Sequence, residues 1–131
     1  MLPLSSKPYL VKGLWQWCQE AGLTPYLSAR VEGARIPKGY DRDGEIILNL
    51  SPVAVNQLQF DFDGISFQAR FSGKVFDVWI PAENILAIFA KETGHGIALA
   101  NEMFAAPEPE GVDRAAPPPA PAGGSGFTRV K

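Results

Sequence analysis

One cysteine and one histidine in 131 residues leave little material for thiol or metal chemistry. A lone Cys18 closes no internal disulfide and builds no multi-cysteine metal site, and it fits a reducing compartment. Positive charge is not in excess either: 12 Lys and Arg against 14 Asp and Glu give a formal charge of -2 and a pI near 5.3. That balance disfavours nucleic-acid binding through a basic footprint. No apolar run approaches the ~20 residues that a membrane-crossing helix needs. The N-terminus holds Lys7, Pro8 and then a patterned segment with two Trp, which is not the apolar core of a secretory leader. The expectation is a soluble, cytoplasmic protein with one compact domain, since a chain of this length buries roughly two-thirds of its unfolded surface.

What is present divides near Ala105. Six of the 12 prolines fall beyond that point, and the bulky apolar residues there are Val112, Phe127 and Val130. Such a stretch buries too little apolar surface to offset its ordering entropy, so 105–126 reads as a disordered linker. Pro117-Pro118-Pro119-Ala120-Pro121 is expected to be stiff and extended, and Gly123-Gly124-Ser125-Gly126 to act as a swivel. The apolar and basic end, 127–131, follows it. Residues 1–104 carry the pattern of a packed domain.

Within that domain, Pro8 suits a first helical position and Gly22 a stop, which predicts a helix from Pro8 to Ala21. Leu10, Leu14, Trp17, Cys18 and Ala21 form its stripe, and Tyr9, Val11 and Trp15 widen the apolar surface past one face. A helix of that kind needs more than one partner surface, either through deep burial or at a subunit interface. The period then changes to two. Tyr26–Val31 and Glu45–Leu50 read as strands, the second entered through the turn Asp43-Gly44. Leu58, Phe60 and Phe62 alternate with polar residues, and Asp63-Gly64 is expected to turn the chain into Ile65, Phe67, Ala69 and Phe71. Ser72-Gly73-Lys74 leads into Val75–Ile80. Pro81 is expected to open a second helix, with Ile85, Leu86, Ile88 and Phe89 inward and Gly94 as its stop. The sum is a mainly β fold with an N-terminal helix and a second helix, arranged as a small barrel or two packed antiparallel sheets.

Catalytic patterns are weak. His95 lies between glycines with no second His or Cys near it in sequence, which makes a poor metal site. Cys18 on an apolar stripe behaves as a small hydrophobe. Asp61 and Asp63 fit a solvated turn better than an acid/base pair. No phosphate-loop or dinucleotide fingerprint occurs. Binding, without catalysis, cofactor or metal, is the expected task.

Several blocks, in order, carry a family resemblance: Lys7-Pro8-Tyr9-Leu10, Leu23-Thr24-Pro25-Tyr26-Leu27, Asp43-Gly44-Glu45-Ile46-Ile47-Leu48-Asn49-Leu50, Phe67-Gln68-Ala69-Arg70-Phe71, and Leu86 to Gly94. Together with the basic end Arg129-Val130-Lys131, they resemble the stringent starvation protein B (SspB) family. The resemblance implies a protease adaptor with an Sm/SH3-like barrel of two antiparallel sheets. It implies a homodimer formed through the first helix, with Tyr9, Leu10, Leu14, Trp15 and Trp17 at the interface. It implies a groove for the ssrA peptide, the tag added to proteins from stalled ribosomes. That groove is expected from Leu48, Asn49, Leu50 and Ser51, from Phe67, Ala69, Arg70 and Phe71, and from Ala54 and Leu58 near by. Extended peptides gain affinity from backbone bonds and specificity from alternate pockets. Arg70 alternates to the face opposite Ala69 on an ideal strand. The resemblance further implies that Phe127, Arg129, Val130 and Lys131 dock on the N-terminal domain of the ClpX unfoldase, delivering substrate to ClpXP. The family more often ends in a Leu-Arg-Val-Val-Lys-like sequence, from which Phe127-Thr128-Arg129-Val130-Lys131 departs. Two rivals remain: an Sm-like RNA-binding barrel, and a small hydrolase using His95 with Asp61 or Asp63.

Overall fold

The computed structural model describes residues 1–105. A short 3-10 turn, Leu4–Ser6, leads into helix α1, Lys7–Ala21. Pro8 sits in the first turn, where its missing N–H costs nothing. Gly22 ends the helix with left-handed backbone, donating its N–H to the carbonyls of Cys18 and Gln19. Seven strands follow: β1 Pro25–Arg30, β2 Glu45–Asn49, β3 Val55–Asp61, β4 Gly64–Phe71, β5 Lys74–Pro81, β6 Ile85–Ala90 and β7 Gly96–Ala98.

The strands form two antiparallel sheets, one ordered β2-β1-β6-β7 and the other β3-β4-β5. Leu27, Ala29, Ile46, Leu48, Ile85 and Ile88 of the first sheet share one core with Val55, Ile65, Phe67, Val78 and Ile80 of the second. Val11 of α1 joins that core. Period-two alternation is visible in β2, where Ile46 and Leu48 are buried and Glu45, Ile47 and Asn49 are exposed. The ladders leave the sheets as two units among the described residues, so closure into one barrel is not shown.

The turns behave as their sequences demand, with one exception. Asp43-Gly44 and Ser72-Gly73 both adopt positive φ at both positions, as tight hairpin turns between right-twisted strands require. Between β3 and β4, however, the turn residues are Phe62 and Asp63, and Gly64 already belongs to the strand, opposite Asp61 and Pro81. Glycine is needed at 64 for space: a Cβ there would run into the Ile80 carbonyl and the Trp79 ring.

The second helix is the clear correction. Pro81 opens only a single 3-10 turn, Ala82–Asn84, and Ile85–Ala90 is a central strand between β1 and β7. Its run of six apolar residues satisfies both a helical face and a strand buried on two sides. Length decides between them, because six residues bounded by Asn84 and Lys91 are too few for a stable helix. Gly94 ends a turn rather than a helix, donating its N–H to the Ala90 carbonyl at 2.7 Å. Strand β7 follows that turn and was not expected from the sequence. The expected linker 105–126 and end motif 127–131 lie outside the described residues except for Ala105. That residue pairs with Pro3 and donates its N–H to the Leu2 carbonyl at 2.7 Å.

Lys7 ties the two ends of the domain together. Its side chain is fully buried; Nζ donates to the Ile85 carbonyl at 2.8 Å and to Asn101 Oδ1 at 2.6 Å. It also lies 5.2 Å from the centre of the Phe104 ring. Burial pulls its pKa down to about 8, against weaker upward pulls from Glu83 and Glu102. The folded chain therefore releases this proton before the unfolded chain does. Between about pH 8 and the ordinary lysine value the unfolded state binds more protons, so this site adds stability as pH rises. In Lys7→Met that increment disappears. Denaturant titrations of both proteins are expected to show wild type gaining on the variant by up to about 1.4 kcal/mol per pH unit in that window. A difference independent of pH would show that Lys7 does not titrate there.

Candidate functional site

The crossing from the first sheet to the second is built around the end of β2. Leu50 donates its N–H to the Pro25 carbonyl, and its own carbonyl accepts Trp15 Nε1–H at 2.8 Å. Helix α1 is thereby fastened to the place where the chain changes sheets. Asn49 is exposed, and its Oδ1 accepts the Ser51 N–H at 2.8 Å, a local turn that short amide side chains favour. The Ser51 carbonyl then accepts the N–H groups of both Ala54 and Val55. Ser51 itself is buried, and its Oγ has no hydrogen-bond partner.

Beyond this turn, the inner face of the second sheet is half-covered. Val55, Ala69 and Phe76 stand in one cross-strand row. Ala54, Leu58, Ala69, Phe71 and Phe76 are all partly buried against the core. Phe71 meets Tyr40 edge-on at 5.0 Å and Phe76 at 6.2 Å between ring centroids, and the Tyr40 hydroxyl is hydrogen-bonded to Ser72 Oγ. Gln57 has φ +55 at a bulge that shifts the register between Asn56 and Gln59. That bulge lets Val55 before it and Leu58 and Phe60 after it all pack inward. The result is an apolar strip with a small residue, Ala69, between larger ones.

The residues expected at a groove therefore separate into three groups. Ala54, Leu58, Ala69 and Phe71 lie on this strip, with Asn49 and Ser51 at the adjoining sheet crossing. Leu48, Leu50 and Phe67 are core residues, 5%, 0% and 3% exposed, able to floor a groove but not to reach into it. Arg70 is exposed on the opposite face, with Nη1 3.5 Å from the Gly73 carbonyl. Tyr40 and Phe76 were missed. Neither lies in a block that carries the resemblance, and Tyr40 lies between β1 and β2 in a loop that gives no period. A second concavity, of about 450 Å³, lies on the outer face of the same sheet beside Gln57, Gln59, Ser66, Gln68, Asp77 and Trp79. The polar half of the same alternation was its only signal.

Helix α1 resolves into two surfaces. Lys7, Pro8, Val11 and Cys18 are buried. Trp15 is half-buried and turned toward the domain, with its ring 6.0 Å from Phe60. Leu10 and Leu14 are intermediate, whereas Tyr9 and Trp17 remain 44% and 43% exposed. Tyr9 meets the exposed turn residue Phe62 edge-on at 6.1 Å. An aromatic stripe of this kind on a helix is a candidate contact surface.

The groups considered for catalysis stay apart. His95 is in the β6–β7 turn of the first sheet, whereas Asp61 ends β3 and Asp63 lies in the β3–β4 turn of the second. Burial, assisted by Glu92, pushes the Cys18 thiol up, away from the thiolate. The Glu92 carboxyl is held low by the Thr24 N–H at 2.8 Å and the Thr24 hydroxyl at 2.7 Å, which pin the start of β1 to the β6–β7 turn. Among the described residues no group of three His, Cys, Asp or Glu is placed to hold a metal. No helix there is long and apolar enough to cross a membrane.

These features define a small two-sheet domain with one helix and a partly open apolar strip at the crossing. The family model described as Stringent starvation protein B matches residues 5–124, and the chain belongs to that family. It is similar to the Stringent starvation protein B homolog of Haemophilus influenzae, 40% identical over 98 residues. That match covers 73% of this chain and 65% of the relative's length.

The unpartnered Ser51 hydroxyl supplies a direct test of the crossing. Ser51→Ala removes a buried polar atom that gains nothing from folding. Its unfolding free energy is expected to equal the wild-type value or exceed it by up to about 1 kcal/mol in urea titration. A loss of more than that amount would mean the hydroxyl has a partner.

Proposed function

We propose that this chain is a non-catalytic adaptor. It binds ssrA-tagged polypeptides on the apolar strip and tethers them through its C-terminal end to the ClpX unfoldase for degradation by ClpXP. The observation that carries the reading is membership of the stringent starvation protein B family across residues 5–124. The strip supports it physically. An extended peptide over Ala69 would find room that a longer side chain would fill, with Phe71, Phe76 and Leu58 as apolar walls. Asn49 at the rim offers an amide to its backbone, and Phe67 forms part of the floor. Arg70, on the other face, reaches only a segment that wraps the sheet edge.

In this reading residues 1–104 bind substrate, 105–126 link, and Phe127, Arg129, Val130 and Lys131 dock. A flexible segment of about 22 residues spans roughly 25 Å, and tethering raises the effective concentration of the second site to around the millimolar range. A weak terminal motif is then sufficient. The aromatic stripe of α1 is the surface for a second copy, with Tyr9, Leu10, Leu14 and Trp17 meeting their equivalents while Trp15 braces the helix from behind. The site of action proposed is the cytoplasm.

A labelled ssrA-tag peptide is expected to bind the full chain with micromolar or tighter affinity in fluorescence anisotropy. Ala69→Gln should weaken it at least tenfold, equivalent to about 1.4 kcal/mol, with thermal stability little changed. Removing Arg129, Val130 and Lys131 should leave tag binding intact and abolish accelerated degradation of a tagged substrate by ClpXP. Peptide binding by neither protein, or degradation indifferent to the end, would overturn the corresponding half of the reading. Separately, Trp17→Glu is expected to shift sedimentation from dimer to monomer, since a charge at the centre of an aromatic interface is left unpaired. Wild-type monomers at tens of micromolar would remove the dimer from the proposal.

A further inference from the structure

The outer-face groove of the second sheet is separate from the strip just described and carries different chemistry. Ser66 pairs with Trp79 and with Gln59 in one cross-strand row, and Gln68 pairs with Asp77 in the next. The Trp79 ring extends over Gly64, where the absence of a Cβ lets it lie close to the sheet. Gln57 and Gln59 are exposed amides, and Gln68 Nε2 donates to Asp77 Oδ1 at 3.0 Å. Arg35 adds one positive charge against the one negative charge of Asp77. The groove is therefore near neutral and rich in side-chain donors, with Trp79 as its accessible aromatic ring and the buried Phe67 and Val78 also in its lining.

A ligand for such a surface supplies carbonyl acceptors and flat apolar rings, with no charge. Strand addition is blocked beside Trp79, because the Arg35 N–H already donates to the Trp79 carbonyl at 2.8 Å and the Trp79 N–H to the Arg35 carbonyl at 3.1 Å. A polyproline II segment meets the requirement. Proline brings no N–H, the backbone carbonyls are left without internal partners, and the rings stack on aromatic side chains. The chain itself contains one: Pro117-Pro118-Pro119-Ala120-Pro121.

We propose that this proline run docks in cis on the outer-face groove, its rings on Trp79 and its carbonyls accepting from the amides of Gln57, Gln59 and Gln68. The root of the tail is linked to the groove through contiguous elements. Ala105 pairs with Pro3, and the following turn Leu4–Ser6 packs against Ala82–Asn84. Ala82 follows Pro81, which pairs with Gly64 beneath the Trp79 ring. Pro117 lies twelve chain positions beyond Ala105, a stretch that can reach up to ~40 Å. An intramolecular ligand acts at around millimolar effective concentration, so contacts too weak to hold a free peptide are enough. Docking would anchor the run 117–121 and leave 122–131 undocked. This inference does not depend on the adaptor reading.

The test uses the full chain carrying Ala122→Cys with a nitroxide label, since Cys18 is buried and its thiol held protonated. Paramagnetic broadening is read by NMR at the Trp79 indole N–H and the side-chain amides of Gln57, Gln59 and Gln68. The expected result is broadening at least threefold greater there than at the Asn49 side-chain amide. Substituting serine for Pro117, Pro118, Pro119 and Pro121 should abolish that difference without changing thermal stability. Broadening confined to residues 1–6, or equal in both proteins, would overturn the proposal. So would broadening that appears when labelled chain is mixed with separately isotope-enriched chain, because the run would then dock on a second copy.

Discussion

A single buried ammonium joins three parts of the chain that are far apart in sequence. Lys7 begins α1, Ile85 begins the central strand β6, and Asn101 and Phe104 belong to the last described segment. The charge is met by a carbonyl, an amide oxygen and an aromatic face, with Glu83 and Glu102 acting on it at longer range. Partial neutralisation of that sort leaves the desolvation cost only partly offset, which is why the proton is held less tightly than on an exposed lysine. Removing the side chain would strand the Ile85 carbonyl and the Asn101 amide in a closed space. The arrangement thus exchanges some stability for a defined register between the helix, the sheet and the start of the tail.

How much of this was legible in the sequence depends on whether the signal is local. The boundaries of α1 are written in Pro8 and Gly22, and the hairpin turns in Asp43-Gly44 and Ser72-Gly73, because each depends on the backbone preferences of one or two residues. The alternation of β4 and β5 is equally local. Ile85 to Ala90 was misread because its helical spacing and its buried-strand composition are the same string. The shortness of the run between Asn84 and Lys91 favours the strand, and β1 and β7 on either side complete its pairing. The buried role of Lys7 was invisible for the same reason: a lysine before a proline reads as a solvated helix start until Asn101 and Phe104 fold over it.

The candidate site shows the same division. Ala69 and Phe71 were identifiable as inward residues from period two, and the structure leaves them half-covered beside Ala54 and Leu58. Tyr40 arrives through a loop without a period, and Phe76, though it alternates with Val78 and Ile80, is brought beside Ala69 by cross-strand pairing that a linear pattern does not show. Conversely, Leu48, Leu50 and Phe67 are so deeply placed that they bear on the strip only through its shape. The bulge at Gln57 is the device that joins the two readings, since it breaks strict alternation while keeping Val55, Leu58 and Phe60 on the core side.

The position of Ala105 then fixes where the chain leaves the described domain. Ala105 leaves from beside Leu2 and Pro3, immediately before α1, and therefore from the same end of the domain as Tyr9 and Phe62. On the proposed dimer, contact through the Tyr9–Trp17 stripe would bring two such roots near the shared helix pair. The apolar strip lies elsewhere, past the sheet crossing at Ser51, where Trp15 of the same helix is anchored. One helix would thus serve three needs with three sides: a core side through Val11 and Cys18, a bracing side through Trp15, and an open side for a second copy. In the proposed reading, substrate on the strip and the chain beyond Ala105 would both be carried by this one domain. Delivery, in that reading, would be set by the length of chain beyond Ala105 and by its docking, with no change of shape required of the domain.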